Sequence, residues 1–218
     1  MHIPDGFINA GTALVTYAAS AGALAYAVRR ARDTLHERTV PLMGVMGAFV
    51  FAAQMINFRV AAGTSGHLLG GALVAILLGP WAGSLVITAV LIVQALLFQD
   101  GGLLALGANV FNMAVIGVGS AYLIYRLICR LAPGPRGRWM AGFLAAWGSV
   151  LLASAAASIE LAISGVSPLG VVLPAMGLVH ILIGIGEGLI TTAVLVFVAS
   201  TRKDLLEQSP APASGGAS

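Results

Sequence analysis

Long apolar runs separated by short polar segments dominate the chain. We place seven candidate membrane-spanning helices, at residues 9–28, 41–57, 68–79, 81–98, 103–128, 139–163 and 172–199. A spanning helix needs about 20 mostly apolar residues, and the third run is short. Only Gly79, Pro80 and Trp81 separate it from the fourth, so a single bent or re-entrant segment is the alternative for this pair. The pattern predicts an all-α, polytopic membrane helix bundle.

The composition agrees with a membrane location. Of the 218 residues, 59% are hydrophobic and only 9% are charged, whereas a soluble domain carries roughly 25% charged residues. A β-barrel is disfavoured because the apolar runs are continuous rather than alternating. We predict a single transmembrane domain over residues 1–200. Residues 201–218 are predicted to form a largely disordered cytoplasmic tail, rich in Pro, Ala, Ser and Gly from Gln208 onward.

The basic residues predict the orientation. With seven spans, ten of the eleven fall on one side of the membrane: Arg29, Arg30, Arg32, Arg38, Arg126, Arg130, Arg136, Arg138, Arg202 and Lys203. Only Arg59 falls on the other side. The positive-inside bias then places the amino terminus outside and the carboxyl terminus in the cytoplasm. This is the topology of a multi-pass protein of the cytoplasmic (inner) membrane.

The first residues, MHIPDG, have the donors for a compact metal site. No leader precedes Met1, so we expect the α-amine to stay free. That amine, the amide nitrogen of His2 and the His2 ring would close adjacent chelate rings, and nitrogen-rich sites suit Ni(II), Cu(II) and Co(II). Ile3 and Pro4 restrict the backbone, and Asp5-Gly6 is a turn signal that would fold the terminus back. An ordinary surface histidine is the alternative for His2.

His67 is the candidate for a fourth nitrogen ligand. It ends the Gly/Ser/Thr loop AAGTSGH on the same predicted face as His2, although a polar helix-start residue is the alternative. Several polar residues are candidates for supporting the metal ligands, because metal-bound histidines need partners that fix the ring. They are Gln54, Asn57, Ser65, Asp100, Asn109 and Asn112. For the amides, packing between helices is the alternative.

Three ionisable residues lie within the predicted helices. His180 and Glu187 are two turns apart and share a face, and Glu160 is near the outer end of its helix. A proton relay, a buried network and a contact with a partner subunit all remain open. The chain has no phosphate-loop, zinc-protease or nucleophile-elbow motif, so the sequence does not predict an enzyme.

Four segments of the chain resemble the CbiM/NikM family. They are residues 1–7 (MHIPDGF), 56–71 (INFRVAAGTSGHLLGG), 98–117 (FQDGGLLALGANVFNMAVIG) and 180–191 (HILIGIGEGLIT). Members of this family are substrate-binding (S) components of energy-coupling factor transporters for cobalt or nickel. The resemblance implies a metal site made by the Met1 amine, the His2 amide nitrogen and the rings of His2 and His67. Arg59 departs from the proline or small residue expected there.

The resemblance also implies partners and a role. The partners are a transmembrane T component, a pair of cytoplasmic ATPases and a small accessory membrane subunit, with no nucleic acid. The chain would need no cofactor, because Ni(II) or Co(II) would be the transported ion. In some systems of this family the ion serves cobalamin biosynthesis. The alternatives are a stand-alone channel or proton-coupled secondary transporter using His180 and Glu187 as a relay, and an intramembrane enzyme. Nickel and cobalt are not distinguished by ligand identity alone.

Overall fold

The computed structural model describes residues 1–33, 39–56, 58–59 and 65–207. Helices form almost all of the described chain, which confirms the all-α membrane bundle. Their bounds are α1 Ala10–Arg32, α2 Thr39–Gln54, α3 Gly71–Val93, α4 Leu106–Val110, α5 Val118–Leu131, α6 Pro135–Ile163, α7 Leu169–Thr201 and α8 Lys203–Glu207. A short antiparallel pair, β1 Phe58–Arg59 and β2 Ser65–Gly66, precedes α3.

Two π-helical turns extend these helices. Residues Gln94–Phe98 continue α3, and residues Phe111–Gly117 join α4 to α5 in one continuous span. A π-turn widens the helix by one residue and is found frequently at functional sites. Gln99 follows the first π-turn, adopts a left-handed backbone (φ 54°) and turns the chain toward Asp100.

Helix α3 reverses direction at Gly79. The backbone there is not helical (φ 82°, ψ 168°), and glycine is the residue that adopts this conformation without strain. A Cβ on Gly83 would lie 3.2 Å from the carbonyl carbon of Val74. In an unbroken helix these residues would be roughly 13 Å apart. Residues 71–78 and 80–98 are therefore the two arms of a helical hairpin in the middle of the bundle.

This reversal bears on one predicted span. The helical part of residues 68–79 covers about 12 Å, which is less than the ~30 Å hydrocarbon core. Residues 71–78 form one arm of a hairpin, close to the bent or re-entrant segment that the sequence offers as the alternative, and Leu68–Gly70 are not helical. Among the described residues, five helices are long and apolar enough to cross a membrane, while α2 has 16 residues. The number of seven complete crossings stays a prediction.

The hairpin preserves the predicted arrangement of the loops. Gly102 donates its N–H to the Ile3 carbonyl (2.9 Å), and the Asn9 side chain donates to the Ile163 carbonyl (3.2 Å). The amino terminus, the loop after α3 and the end of α6 therefore meet at one end of the bundle. The basic residues at the ends of α1 and α5 lie at the other end. Which end faces the cytoplasm stays a prediction from the charge distribution.

Small residues bring α6 and α7 together along their length. A Cβ on Gly184 would lie 3.0 Å from Trp147, and one on Gly188 would lie 2.6 Å from Phe143. The G-x-x-x-G step thus serves internal packing. Beyond α7, residues 203–207 of the predicted disordered tail form α8, in which Leu206 is buried. Residues 208–218 lie outside the described residues.

Candidate metal site

The amino-terminal segment is folded into the bundle. Met1, His2 and Ile3 expose only 1%, 3% and 0% of their surface. Asn109 holds this segment with both ends of its side-chain amide: Oδ1 accepts from the Ile3 N–H (2.8 Å), and Nδ2 donates to the Ile3 carbonyl (3.0 Å). Asn109 therefore fixes the residue that follows His2, which is the supporting position expected from the sequence.

Asp5 fixes the other end of the segment. Its carboxylate accepts from the backbone N–H groups of Leu103 (3.1 Å), Leu104 (2.7 Å) and Ala105 (3.3 Å). These groups immediately precede α4, where free backbone donors favour an anionic acceptor. Gly102 lies directly against Asp5, so a side chain there would displace the segment. The turn predicted at Asp5-Gly6 is thus anchored to the start of α4.

The two candidate histidine ligands meet. The rings of His2 and His67 are stacked, with centroids 4.5 Å apart and an interplanar angle of 21°. Asp100 comes within 3.1 Å of His2 Nδ1 through its Oδ1 atom. Nδ1 is the ring nitrogen that can close a chelate ring with the amide nitrogen of the same histidine, so Asp100 lies beside the candidate donor atom of His2. The structure thus brings Met1, His2, His67 and Asp100 together.

Burial favours the neutral form of the candidate nitrogen donors. Burial lowers the pKa of the Met1 amine to about 4, although Asp100 acts in the opposite direction. Burial likewise lowers the pKa of His2, with Asp100 again opposing it. The pKa of His67 is well below its usual value, mainly because of burial and also because the Met1 amine and His2 lie close to it. Neutral amine and imidazole nitrogens carry the lone pairs that bind a transition metal.

Several buried polar atoms around these rings lack a hydrogen bond within the part of the chain that the structure describes. They are both ring nitrogens of His2, whose Nδ1 contact with Asp100 falls outside hydrogen-bond geometry, together with His67 Nε2 and both amide atoms of Gln94. The Gln94 amide approaches the His2 ring, though outside standard hydrogen-bond geometry. Such atoms are rare in proteins and indicate a site for a polar ligand or ion.

Gln94 was not predicted from the sequence. It is fully buried and begins the π-turn Gln94–Phe98, directly before the loop that carries Asp100. The signal available was an amide within the apolar run IVQALLF, since polar groups inside a membrane are costly and are often functional.

The remaining candidates take other positions. Gln54 donates to the Leu69 carbonyl (2.7 Å), two residues after His67. Asn112 donates to Glu160 (2.6 Å) and is not brought to the histidines. The backbone of Ser65 pairs with Arg59 in the β1–β2 ladder. Asn57 lies outside the described residues.

His180 and Glu187 both interact with backbone. His180 Nδ1 is 2.7 Å from the Met176 carbonyl, and His180 lies within electrostatic reach of His67. The Glu187 carboxylate accepts from the N–H groups of Leu69 (2.7 Å) and Gly70 (2.9 Å). These contacts place Glu187 beside the chain segment that carries His67, within a buried network rather than at the lipid face.

A metal site made only of side chains is not found among the described residues. No group of three or more His, Cys, Asp or Glu side chains there is arranged to hold a metal ion. The donors predicted from the sequence also include two backbone nitrogens, the Met1 amine and the His2 amide. This donor set is rich in nitrogen and free of thiolate, a chemistry suited to Ni(II) and Cu(II).

Comparison with known proteins identifies the family. The model of the CbiM family, described as "Cobalt uptake substrate-specific transmembrane region", matches residues 2–205. The chain belongs to the CbiM family. It is accordingly a cobalt/nickel transport protein of the multi-pass inner-membrane class. The family predicted from the motifs and the membrane location predicted from the apolar runs are thereby confirmed.

Relatives of this CbiM-family chain include proteins named for both metals. The putative fused nickel transport protein NikMN of Archaeoglobus fulgidus is 44% identical over 214 residues, which are 97% of this chain and 70% of that protein. The cobalt transport protein CbiM of Geobacter sulfurreducens is 32% identical over 224 residues, which are 99% of this chain and 64% of that protein.

A solved structure has the same fold. The crystal structure of a truncated transition metal transporter superimposes with a TM-score of 0.86 at 36% identity, covering 92% of this chain and 99% of that one. A second transition metal transporter matches with the same TM-score at 34% identity.

Proposed function

We propose that the chain is the substrate-capture (S) component of an ATP-driven importer of the energy-coupling factor type. It binds Ni(II) or Co(II) at the extracytoplasmic end of the bundle. The proposed ligands are the Met1 amine, the His2 amide nitrogen, the His2 ring and the His67 ring. Four nitrogens from three residues replace the water molecules of the incoming ion.

One observation carries this proposal. The first two residues are buried, and the His2 ring stacks on the His67 ring although 65 residues separate them in the chain. Burying ring nitrogens without hydrogen bonds costs free energy, and both ring nitrogens of His2 and Nε2 of His67 have none within the described chain. A bound metal ion would supply the missing partner. The anchoring of Ile3 by Asn109 and of Asp5 before α4 would hold the donors ready for it.

The metal preference follows from the donor set only in part. For sites of this kind the affinity for Ni(II) exceeds that for Co(II), so discrimination must come from geometry and supply. We expect tight binding of both ions, with Ni(II) the tighter. Relatives named for nickel and for cobalt are consistent with either ion as cargo.

The energy for import is assigned to partners. The proposal requires a transmembrane T component and two cytoplasmic ATPases, with a small accessory membrane subunit where one is present. The sequence has no G-x-x-x-x-G-K-[ST] phosphate-binding loop of its own. In this account the chain captures the ion, and ATP hydrolysis by the partners drives its release to the cytoplasm.

Metal uptake by cells tests this function. The chain is produced in cells that lack their own nickel and cobalt import. Three conditions are compared: the chain with all partner subunits, the chain with partners whose ATPases cannot hydrolyse ATP, and the chain alone. We expect uptake only with active ATPases, and loss of uptake in the His67→Ala variant. Uptake by the chain alone that depends on the proton gradient and ignores ATP would instead establish a secondary transporter.

Binding in detergent tests the ligand set. We expect the His67→Ala variant to lose more Ni(II) affinity than the ~10–100-fold that removal of an outer partner costs, because a ligand is lost. Isothermal titration of the purified variant measures this, and an unchanged melting temperature shows that the bundle stays folded. Full affinity in that variant would remove His67 from the site.

A further inference from the structure

A polar clamp holds the chain segment that follows His67. Leu69 and Gly70 donate their N–H groups to Glu187 of α7, at 2.7 Å and 2.9 Å. The Leu69 carbonyl accepts from Gln54 at the end of α2, at 2.7 Å. Glu187 and Gln54 expose 1% and 0% of their surface. Side chains of two helices thus bind three consecutive backbone groups of a non-helical segment.

A carboxylate is the group that this position needs. Non-helical backbone inside a membrane is tolerated only where protein satisfies its polar groups. The two adjacent N–H groups each meet a different oxygen of Glu187, so one side chain with two acceptor oxygens serves both. A glutamine at 187 would offer only one acceptor oxygen and would turn an NH₂ donor toward the second N–H.

The clamp determines where His67 lies. His67 stands between Gly66, which pairs with Phe58, and Leu69, which is held by the clamp. Two residues of extended chain cover only about 7 Å, so His67 cannot move far while both ends are fixed. A cavity of about 500 Å³ borders His67, Leu68 and the facing side of α7. A segment released from the clamp has room to shift into that space.

We propose that Glu187 is a positioning residue of the metal site, which sets the position of the His67 ring by holding Leu69 and Gly70 against α7. Gln54 completes the clamp from α2. The inference rests on the proposed role of His67 as a ligand. It assigns to Glu187 a task other than the proton relay considered from the sequence.

The clamp makes the site a two-part structure. The Met1–His2 arm is held by Asn109, Asp5 and the loop after α3, whereas the His67 arm is held by α7 and α2. The two arms meet at the stacked rings of His2 and His67. A displacement of α7 relative to α4 would therefore change the distance between the donors of the two arms.

A double-mutant cycle with Ni(II) as the probe tests the proposal. The full chain with a carboxyl-terminal tag is purified in detergent as wild type, Glu187→Gln, His67→Ala and the double variant. We expect Glu187→Gln to weaken Ni(II) binding about 10- to 100-fold. We also expect its Ni(II) absorption spectrum to shift toward that of His67→Ala. In the His67→Ala background, Glu187→Gln should change affinity less than about twofold, because a residue acting through His67 has nothing left to position.

Glu160→Gln is the matched control. Glu160 is also a buried membrane glutamate, but its carboxylate accepts from Asn112 instead of the His67 segment. We expect wild-type Ni(II) affinity and spectrum in this variant. Wild-type affinity in Glu187→Gln, or an equal loss in the presence and absence of His67, would overturn the proposal. Full affinity in His67→Ala would instead overturn the proposed ligand set, so the two failures are distinguishable.

A second variant covers the case in which Glu187→Gln fails to fold. Gln54→Leu removes the opposite side of the clamp by replacing the amide with an apolar side chain of similar size. It should show the same spectral shift and the same loss of effect in the His67→Ala background. An effect of Gln54→Leu that is undiminished without His67 would overturn the proposal in this case too.

Discussion

At the scale of single residues, the buried polar side chains near the site mostly bind backbone. Asn109 binds both polar groups of Ile3, Asp5 binds three N–H groups before α4, and Glu187 binds two after His67. Each of these side chains fixes a non-helical segment whose backbone N–H and C=O groups have no partner in a helix or sheet. The histidine rings differ, because both ring nitrogens of His2 and Nε2 of His67 lack a hydrogen bond in the described chain. This contrast separates the supporting residues from the proposed ligands.

The Asn109→Ala substitution tests the support of His2. We expect Ni(II) affinity to fall about 10- to 100-fold, less than in His67→Ala, because the ligands remain but Ile3 loses both hydrogen bonds to the side chain. Titration of the detergent-purified variant measures this. Asn112→Ala is the control, since Asn112 lies one turn further and binds Glu160. An unchanged affinity in Asn109→Ala, or an equal loss in both variants, would return Asn109 to a packing role.

At the scale of elements, interruptions of regular structure build the site. The reversal of α3 at Gly79 returns the chain to the end it came from, and the π-turn after α3 directs Gln94 and Asp100 toward His2. The loop that follows α3 then pairs with the amino-terminal segment through Gly102 and Ile3. The close approach of these two backbones requires a residue without a side chain at Gly102.

The Gly102→Ala substitution tests this approach. A Cβ there would clash with the Asp5 carboxylate and backbone, so we expect the amino-terminal segment to be displaced and Ni(II) affinity to fall at least tenfold. Gly119→Ala is the control, because its Cβ would meet nothing within 4 Å. Amide hydrogen exchange over residues 1–8 gives a second readout. Retained protection and affinity in Gly102→Ala would contradict the packing described here.

At the scale of the whole molecule, the site lies at one end of the bundle and the basic loops at the other. The orientation predicted from charge places the site outside the cell. In a Cys129→Ser background, we expect an impermeant maleimide to label Pro168→Cys in intact cells, because residue 168 lies at the site end and is exposed. Arg136→Cys, exposed at the opposite end, should label only after lysis. The reverse pattern would invert the assigned orientation.

The sequence predicted the bundle, the family and the meeting of His2 with His67, because these depend on long apolar runs and specific local motifs. It left open whether residues 68–79 form a separate span or part of a bent or re-entrant segment, since a left-handed glycine reverses the chain without any change in hydropathy. It grouped Asn109 with Asn112 because they are one helical turn apart. In the structure Asn109 binds Ile3, whereas Asn112 binds Glu160. The clamp at Glu187 joins residues 118 positions apart and leaves no local signal.

The most direct test of the account compares two amino termini. The chain with a carboxyl-terminal tag is prepared with its native start and with one extra residue ahead of Met1, and both are titrated with Ni(II) and Co(II) in detergent. The account predicts tight binding by the native start alone, because the extension converts the Met1 amine into an amide and displaces it from its buried position. Equal binding by both forms would show that the amine is not a ligand and would contradict the proposed site.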